Sequence, residues 1–323
     1  MIKSTIALLL VLSSLTLCLV SCGTEGSEPS SCETLSADSS VEESVLSSEA
    51  ENSAEESSSE DSSEEEFVSK DPKEPIMKIP EYLDCDPIDA YFDDSVFIGY
   101  SIMMHFGRYT EHFRYLYGNS IMGTAEFRAG VGMNFRSNKN QDPSSPDTSL
   151  PKHNNVAYHF EDLPSAMGVK TMVIGLMPYS DMRIGSAENC TRMGADLEIE
   201  GLKLIREKNP DLHIIVLSGT YNTGESPNGA IKLDRVNNKN IRTFNNYVLE
   251  YCNEAGIDFI DVSTPLTNGY GVFIKEWSSD GSYHIKEDPY MIWVQLLRDY
   301  ARKKENGTWK NPSVMPKLGF EIN

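Results

Sequence analysis

Apolar and polar positions follow two rhythms along this chain. Short runs rich in Val, Ile, Leu and Phe fall at 96–99, 125–129, 171–176, 213–217 and 259–262. Runs that are apolar at nearly every position, and too short for buried helices, predict strands covered on both faces. Between them, apolar residues recur at helical spacing over roughly 102–117, 156–167, 187–208, 237–255 and 287–303. Strand alternating with helix predicts an α/β fold with a mainly parallel five-stranded sheet. Right-handed crossovers then give a three-layer α/β/α sandwich. Asn209-Pro210 and Ala255-Gly256 stand where two of the helices should stop. Residues 131–155 are rich in Asn, Pro, Ser and Asp. They are expected to form a long irregular connection, either bordering a site or simply a solvated insertion. Aromatics at helical spacing after Ser101, among them Phe106 and Phe113, are expected in the core with Trp293 of the last helix.

The first 72 residues follow neither rhythm. Lys3 precedes an apolar core from Thr5 to Val20, and Leu19-Val20-Ser21-Cys22 has the form of a lipoprotein cleavage site. Residues 1–21 are therefore expected to be a signal peptide and Cys22 the lipidated mature N-terminus. From Gly23 to Glu66 there are 15 Ser and 15 Asp or Glu, with no Lys or Arg. Such a stretch buries too little apolar surface to order itself, so 22–72 is expected to be a disordered tether. The 44 residues from Gly23 to Glu66 would span roughly 35–40 Å as a flexible coil. The folded domain is expected at 73–323.

The tether also explains the formal charge of −21. Without Gly23–Glu66, 34 acids face 28 bases, ordinary for a soluble domain. That balance argues against nucleic acid as a partner. Cys32, Cys85, Cys190 and Cys252 have no CxxC spacing, and four cysteines leave three full pairings open. Cys190 and Cys252 lie inside helical patterns and are expected to be buried. No GxxxxGK[ST], HExxH or complete GxGxxG follows the right elements, so no metal and no organic cofactor is expected.

Candidate chemistry sits in two places. The first strand stops at Gly99-Tyr100-Ser101, which puts a serine at the carboxyl edge of the sheet, where open α/β folds carry their sites. Asp280-Gly281-Ser282-Tyr283-His284 lies just before the last helix. A serine needs a base, and the base a carboxylate to orient it. Ser101 is read as nucleophile or as helix N-cap, and Asp280 as the partner of His284 or as a turn former with Gly281. His105, one turn beyond Ser101, is expected in a surface or supporting role.

At these residues the chain resembles the SGNH (GDSL-type) esterases, which place Gly-Asp-Ser after strand one, a middle Gly-x-Asn-Asp block and a late Asp-x-x-His. The resemblance covers roughly 88–303 and implies the flavodoxin-like fold of that family. It departs at Tyr100 for the first-block Asp, at Met177 in Gly175-Leu176-Met177-Pro178, and by one extra residue between Asp280 and His284. It implies Ser101 as nucleophile, His284 as base and Asp280 as its orienter. The Ser101 and Gly130 amides become the oxyanion donors, although Gly130 also reads as a turn glycine. Met177 and Pro178 supply no third side-chain donor; Asn134, Asn222 and Ser180 are the nearby substitutes. Tyr100, Met177 and Trp277 are expected to line the substrate pocket. The implied activity is a surface-anchored serine esterase acting on an acylated glycan or small ester. It would be lipid-anchored at the outer face of the cytoplasmic membrane. The alternative is a degenerate SGNH-like module that binds a surface glycan or a protein partner without cleaving it.

Overall fold

In the computed structural model, residues 74–319 are described, apart from 119 and 230, all within one unit of the chain. The expected signal segment, Cys22 and the tether lie outside the described residues. Five strands form one parallel sheet: β1 (Ser95–Ile98), β2 (Glu126–Phe127), β5 (Thr171–Gly175), β6 (His213–Leu217) and β7 (Asp258–Ile260). Their spatial order is β2-β1-β5-β6-β7, every neighbouring pair parallel. β1 and β5 are buried along their whole length, as their unbroken apolar character requires.

The crossover from β1 to β2 runs one way along the sheet, and all later ones run the other. Right-handed connections therefore place α1 (Ser101–Tyr117) on one face, and α5 (Cys190–Lys208) and α6 (Asn238–Ala255) on the opposite one. α7 (Tyr290–Glu305) joins α1. There Phe106 packs edge-on against Trp293 at 5.2 Å and stacks on Tyr290 at 5.5 Å. The Tyr290 hydroxyl donates to the Ile102 carbonyl at 2.8 Å. Cys190 and Cys252 are buried free thiols, and burial pushes Cys252 up to about 12.

Two expectations needed correction. The pattern at 156–167 is not one helix. Asn154 and Asn155 both adopt positive φ (49° and 64°) and close an antiparallel hairpin of β3 (Lys152–His153) and β4 (Val156–Ala157). Only α3 (Leu163–Met167) is helical, and Pro164 in its first turn cannot extend a helix from upstream. The irregular connection at 131–155 also contains a helix, α2 (Phe135–Asn140). Asn134 caps it by accepting the Ser137 amide at 2.8 Å.

The strand order reverses between β1 and β5. In a sheet of this order, the crevice beyond the carboxyl ends of the strands opens there. Ser101 follows β1, and α4 (Pro178–Asp181) follows β5, so the chain delivers both to that crevice.

Candidate active site

Gly99 lets the chain turn from β1 into α1. A Cβ at this position would come within 2.8 Å of the Met103 Cβ. The helix cap is Tyr100, which makes no side-chain capping bond, and Ser101 is the first helical residue. Its hydroxyl is not used as a cap. Ser101 Oγ lies 2.9 Å from His284 Nε2, 183 residues away in sequence. On the other side of the ring, His284 Nδ1 is 2.6 Å from Asp280 Oδ2. Serine, imidazole and carboxylate thus form one continuous hydrogen-bonded line.

Asp280 also shapes its own loop. Its Oδ1 accepts the Ser278 hydroxyl at 2.9 Å and the amides of Ser282, Tyr283 and His284 at 2.8, 3.0 and 3.2 Å. Gly281 takes the left-handed conformation (φ 71°) that this tight wrap needs. The residue added between Asp280 and His284 is absorbed in that wrap. Burial pushes the Asp280 carboxyl up, but the hydrogen bonds from His284, Ser282 and Ser278 outweigh it, leaving the pKa below its usual value. The carboxylate is therefore ionised opposite the ring nitrogen.

Aromatic rings buttress the imidazole. Tyr283 packs on His284 with ring centres 4.2 Å apart, and Tyr179 of α4 stacks on Tyr283 at 4.1 Å and 15°. Tyr179 is itself pinned, donating its hydroxyl to the Thr220 carbonyl at 2.8 Å. His105 also approaches His284, centres 5.5 Å apart. Burial, then the neighbouring His284 and Arg108, push the His105 pKa down, which favours a neutral ring beside His284. That agrees with the supporting role expected for it. Tyr179 was not singled out by the sequence; only the adjacency of Tyr283 to His284 could have drawn attention to this stack.

Several expected site residues lie elsewhere or are engaged. The Gly130 amide donates to the Gly99 carbonyl at 3.1 Å, continuing the ladder begun by Arg128 on Phe97. It is turned into the backbone rather than towards a developing oxyanion. Tyr100 is 5% exposed and faces the core, 6.2 Å from the Tyr179 ring, so it walls no open pocket. Its extended backbone at the cap sends the ring inward as Ser101 begins the helix. Met177 is wholly buried, its amide held at 2.7 Å by Glu198 Oε1. Trp277 is half-buried against the core, and its carbonyl accepts the Lys286 amide at 2.8 Å, closing the base of the Asp280 loop. It supports the loop from the side of the core. Asn134 is occupied as the α2 cap, and the Asn222 amide donates to the Val236 carbonyl at 2.9 Å. The α1 amino end, with Ser101 as its first residue and no side-chain cap, is the donor set left at the serine.

Among the described residues no group of His, Cys, Asp and Glu is arranged to hold a metal ion. No family model matches this chain, and no curated relative matches it. Solved structures similar to it include a GDSL-like lipase from Bacteroides thetaiotaomicron. That similarity is at 18% identity over 65% of this chain and 88% of the other, with a TM-score of 0.44. A lipase/acylhydrolase from Enterococcus faecalis matches at 11% identity over 69% and 98%, with a TM-score of 0.43. An active-site mutant of a family two carbohydrate esterase from Clostridium thermocellum matches at 14% identity over 71% and 66%, with a TM-score of 0.38.

Proposed function

We propose that this protein is a serine ester hydrolase of SGNH type. One observation carries the proposal: the unbroken line from Ser101 Oγ through His284 to the Asp280 carboxylate. In the proposed reaction His284 Nε2 takes the hydroxyl proton as Ser101 Oγ attacks the ester carbonyl carbon. Asp280 holds the Nδ1 proton and stabilises the imidazolium that forms. His284 then protonates the departing alcohol, and water activated by the same ring releases the acid from Ser101. The Ser101 amide and the uncapped α1 end face the oxygen that becomes negative.

The oxyanion site is sparse, because the Gly130 and Met177 amides are both bound within the protein. Each missing donor typically costs ~100–1,000-fold in rate. The expected activity is therefore modest on simple esters and depends on binding energy from a larger substrate, such as an acylated glycan. The same engaged amides favour a second reading, a module that holds an acylated ligand without cleaving it.

A fluorophosphonate probe and an aryl acetate separate the two. A stoichiometric adduct on Ser101, with turnover lost in Ser101→Ala and His284→Ala, supports the hydrolase. Equal background rates in wild type and both variants would sink it.

The placement belongs to the same proposal: lipid on Cys22 and an acidic tether would hold the domain at the outer face of the cytoplasmic membrane. Several acyl chains at ~0.8 kcal/mol per buried methylene suffice for stable attachment. Cys22→Ala should release the protein from membranes. Retention of that variant in the membrane fraction at mature size would exclude lipidation.

A further inference from the structure

Beside the aromatic stack lies a cavity of about 190 Å³ whose walls include Tyr179, Arg183, Ile231, Lys232, Arg235 and Val236. Three cations and no acid line it. None of the three is in an ion pair among the described residues, although acids outnumber bases in the domain. The two guanidinium groups are held in place by backbone. Arg183 Nε donates to the Tyr179 carbonyl at 2.8 Å, and Arg235 Nη1 donates to the Arg183 carbonyl at 3.0 Å. Arg235 Nε is buried without an acceptor. Their other donors form the planar forks that suit a carboxylate or phosphate.

The cavity is tied to the reacting centre by covalent and packed neighbours. Tyr179, which shapes its wall, stacks on Tyr283, and Tyr283 stacks on the base His284. Arg183 is near enough to favour the ionised form of the Tyr283 phenol, against the stronger effect of burial. The segment leading into the cavity is strapped to the Asp280 loop. Thr223 donates its amide to the Ser282 carbonyl at 3.0 Å and its hydroxyl to the Gly281 carbonyl at 2.8 Å, and Ser282 Oγ donates to the Glu225 carbonyl at 2.9 Å.

We infer that this cavity is an anion subsite, and that the substrate is an ester carrying a carboxylate or phosphate close to the acyl group, as on an acidic sugar. The inference rests on the ester-hydrolase proposal for the substrate class, while the subsite itself stands on the cavity alone. The cations hold the charged group, the aromatic stack sets its distance from His284, and the binding energy compensates for the sparse oxyanion site.

Two measurements test it. Calorimetric titration of the full chain with glucuronate, glucose 6-phosphate and glucose should show at least one charged sugar binding about 10-fold or more tightly than glucose. Whichever charged sugar binds identifies the anion. Arg183→Gln and Arg235→Gln should remove the preference. Lys232→Gln, on an exposed side chain with no hydrogen bond to lose, should weaken it without risk to folding. If neither charged sugar binds more tightly than glucose, the subsite is excluded. Hydrolysis of an acetylated glucuronate against acetylated glucose should show the same preference, expressed in KM and collapsing towards one in the variants. If neither acetate nor an aryl acetate is turned over, the ester-hydrolase proposal fails while the titration still decides the subsite. Turnover with equal kcat/KM on both sugars overturns the inferred substrate class and leaves the hydrolase standing.

Discussion

Glu198 of α5 is wholly buried and accepts the Met177 amide at 2.7 Å, fastening the segment after β5 to the helix behind it. Burial and the neighbouring Asp181 raise its pKa well above the ordinary carboxylate value. Asp181, also buried, accepts the Phe135 and Arg136 amides, and burial raises it to about 7. Both acids therefore hold protons in the folded state that the unfolded chain releases. Native protein binds more protons from about pH 4 upwards, so stability falls as pH rises, until each raised pKa is passed. Glu198→Gln keeps an acceptor for Met177 and removes one titration. Its melting temperature should be close to wild type at pH 5 and higher than wild type at pH 9. The decline that remains should level off near pH 7, where Asp181 finishes titrating. Identical pH slopes for the two proteins would show that Glu198 does not carry this linkage.

Asp280→Asn should separate the two tasks of that carboxylate. The amide oxygen can still gather the loop amides, but the new NH2 group faces His284 Nδ1 and imposes the wrong tautomer. We expect kcat on an aryl acetate to fall ~10,000-fold with little change in KM or melting temperature. A variant with wild-type kcat would mean that Asp280 shapes the loop without orienting the base.

Arg298 of α7 forks onto Asp89, with bonds of 2.9 and 2.6 Å, and also donates to the Asp84 carbonyl at 3.0 Å. Both side chains are nearly inaccessible, at 6% and 2%. Removing one partner leaves a buried charge, so Asp89→Leu should cost about 3–5 kcal/mol in urea unfolding. Replacing both, as Asp89→Leu with Arg298→Met, should recover most of that loss. Additive losses in the double variant would contradict this account.

Gly99→Ala places a methyl group against the Met103 Cβ, at a contact of 2.8 Å that real side chains do not tolerate. The start of α1 must move, and with it Ser101. A displacement near 1 Å can cost ~100-fold in rate. Met103→Ala leaves the Cβ in place, so a second-site Met103→Gly is the variant expected to restore part of the activity. An unimpaired Gly99→Ala variant would show that the turn has slack.

Much of the fold could be read in the sequence because its strands are apolar on both faces. Such runs at 171–176 and 213–217 have few other uses. The hairpin around Asn154-Asn155 was missed because its two strands are two residues each and show no periodicity. α2 was missed for a related reason: its sequence is polar, and the Asn134 cap was the signal that could have found it. The Ser101, Asp280 and His284 constellation was legible because side-chain chemistry is written in residue types. Gly130 was not, since the partner of a backbone amide depends on how far a strand ladder runs. Glu198 escaped notice because it sits among Asp196 and Glu200, where a helix reads as solvated. Only packing reveals that one of these acids points inward.

The separation of 183 positions between Ser101 and His284 bears on when this chain could react as proposed. A ribosome adds roughly 5–20 residues each second, so the serine leaves the exit tunnel on the order of ten seconds or more before its base is made. Through that interval His284, the imidazole proposed to draw off its proton, does not yet exist, and an unassisted hydroxyl is a poor nucleophile. The Ser101–His284 contact forms only when α7 docks on α1 and brings the Asp280 loop over the end of β1. On the proposed mechanism, the nascent polypeptide is chemically silent by the order of its own letters.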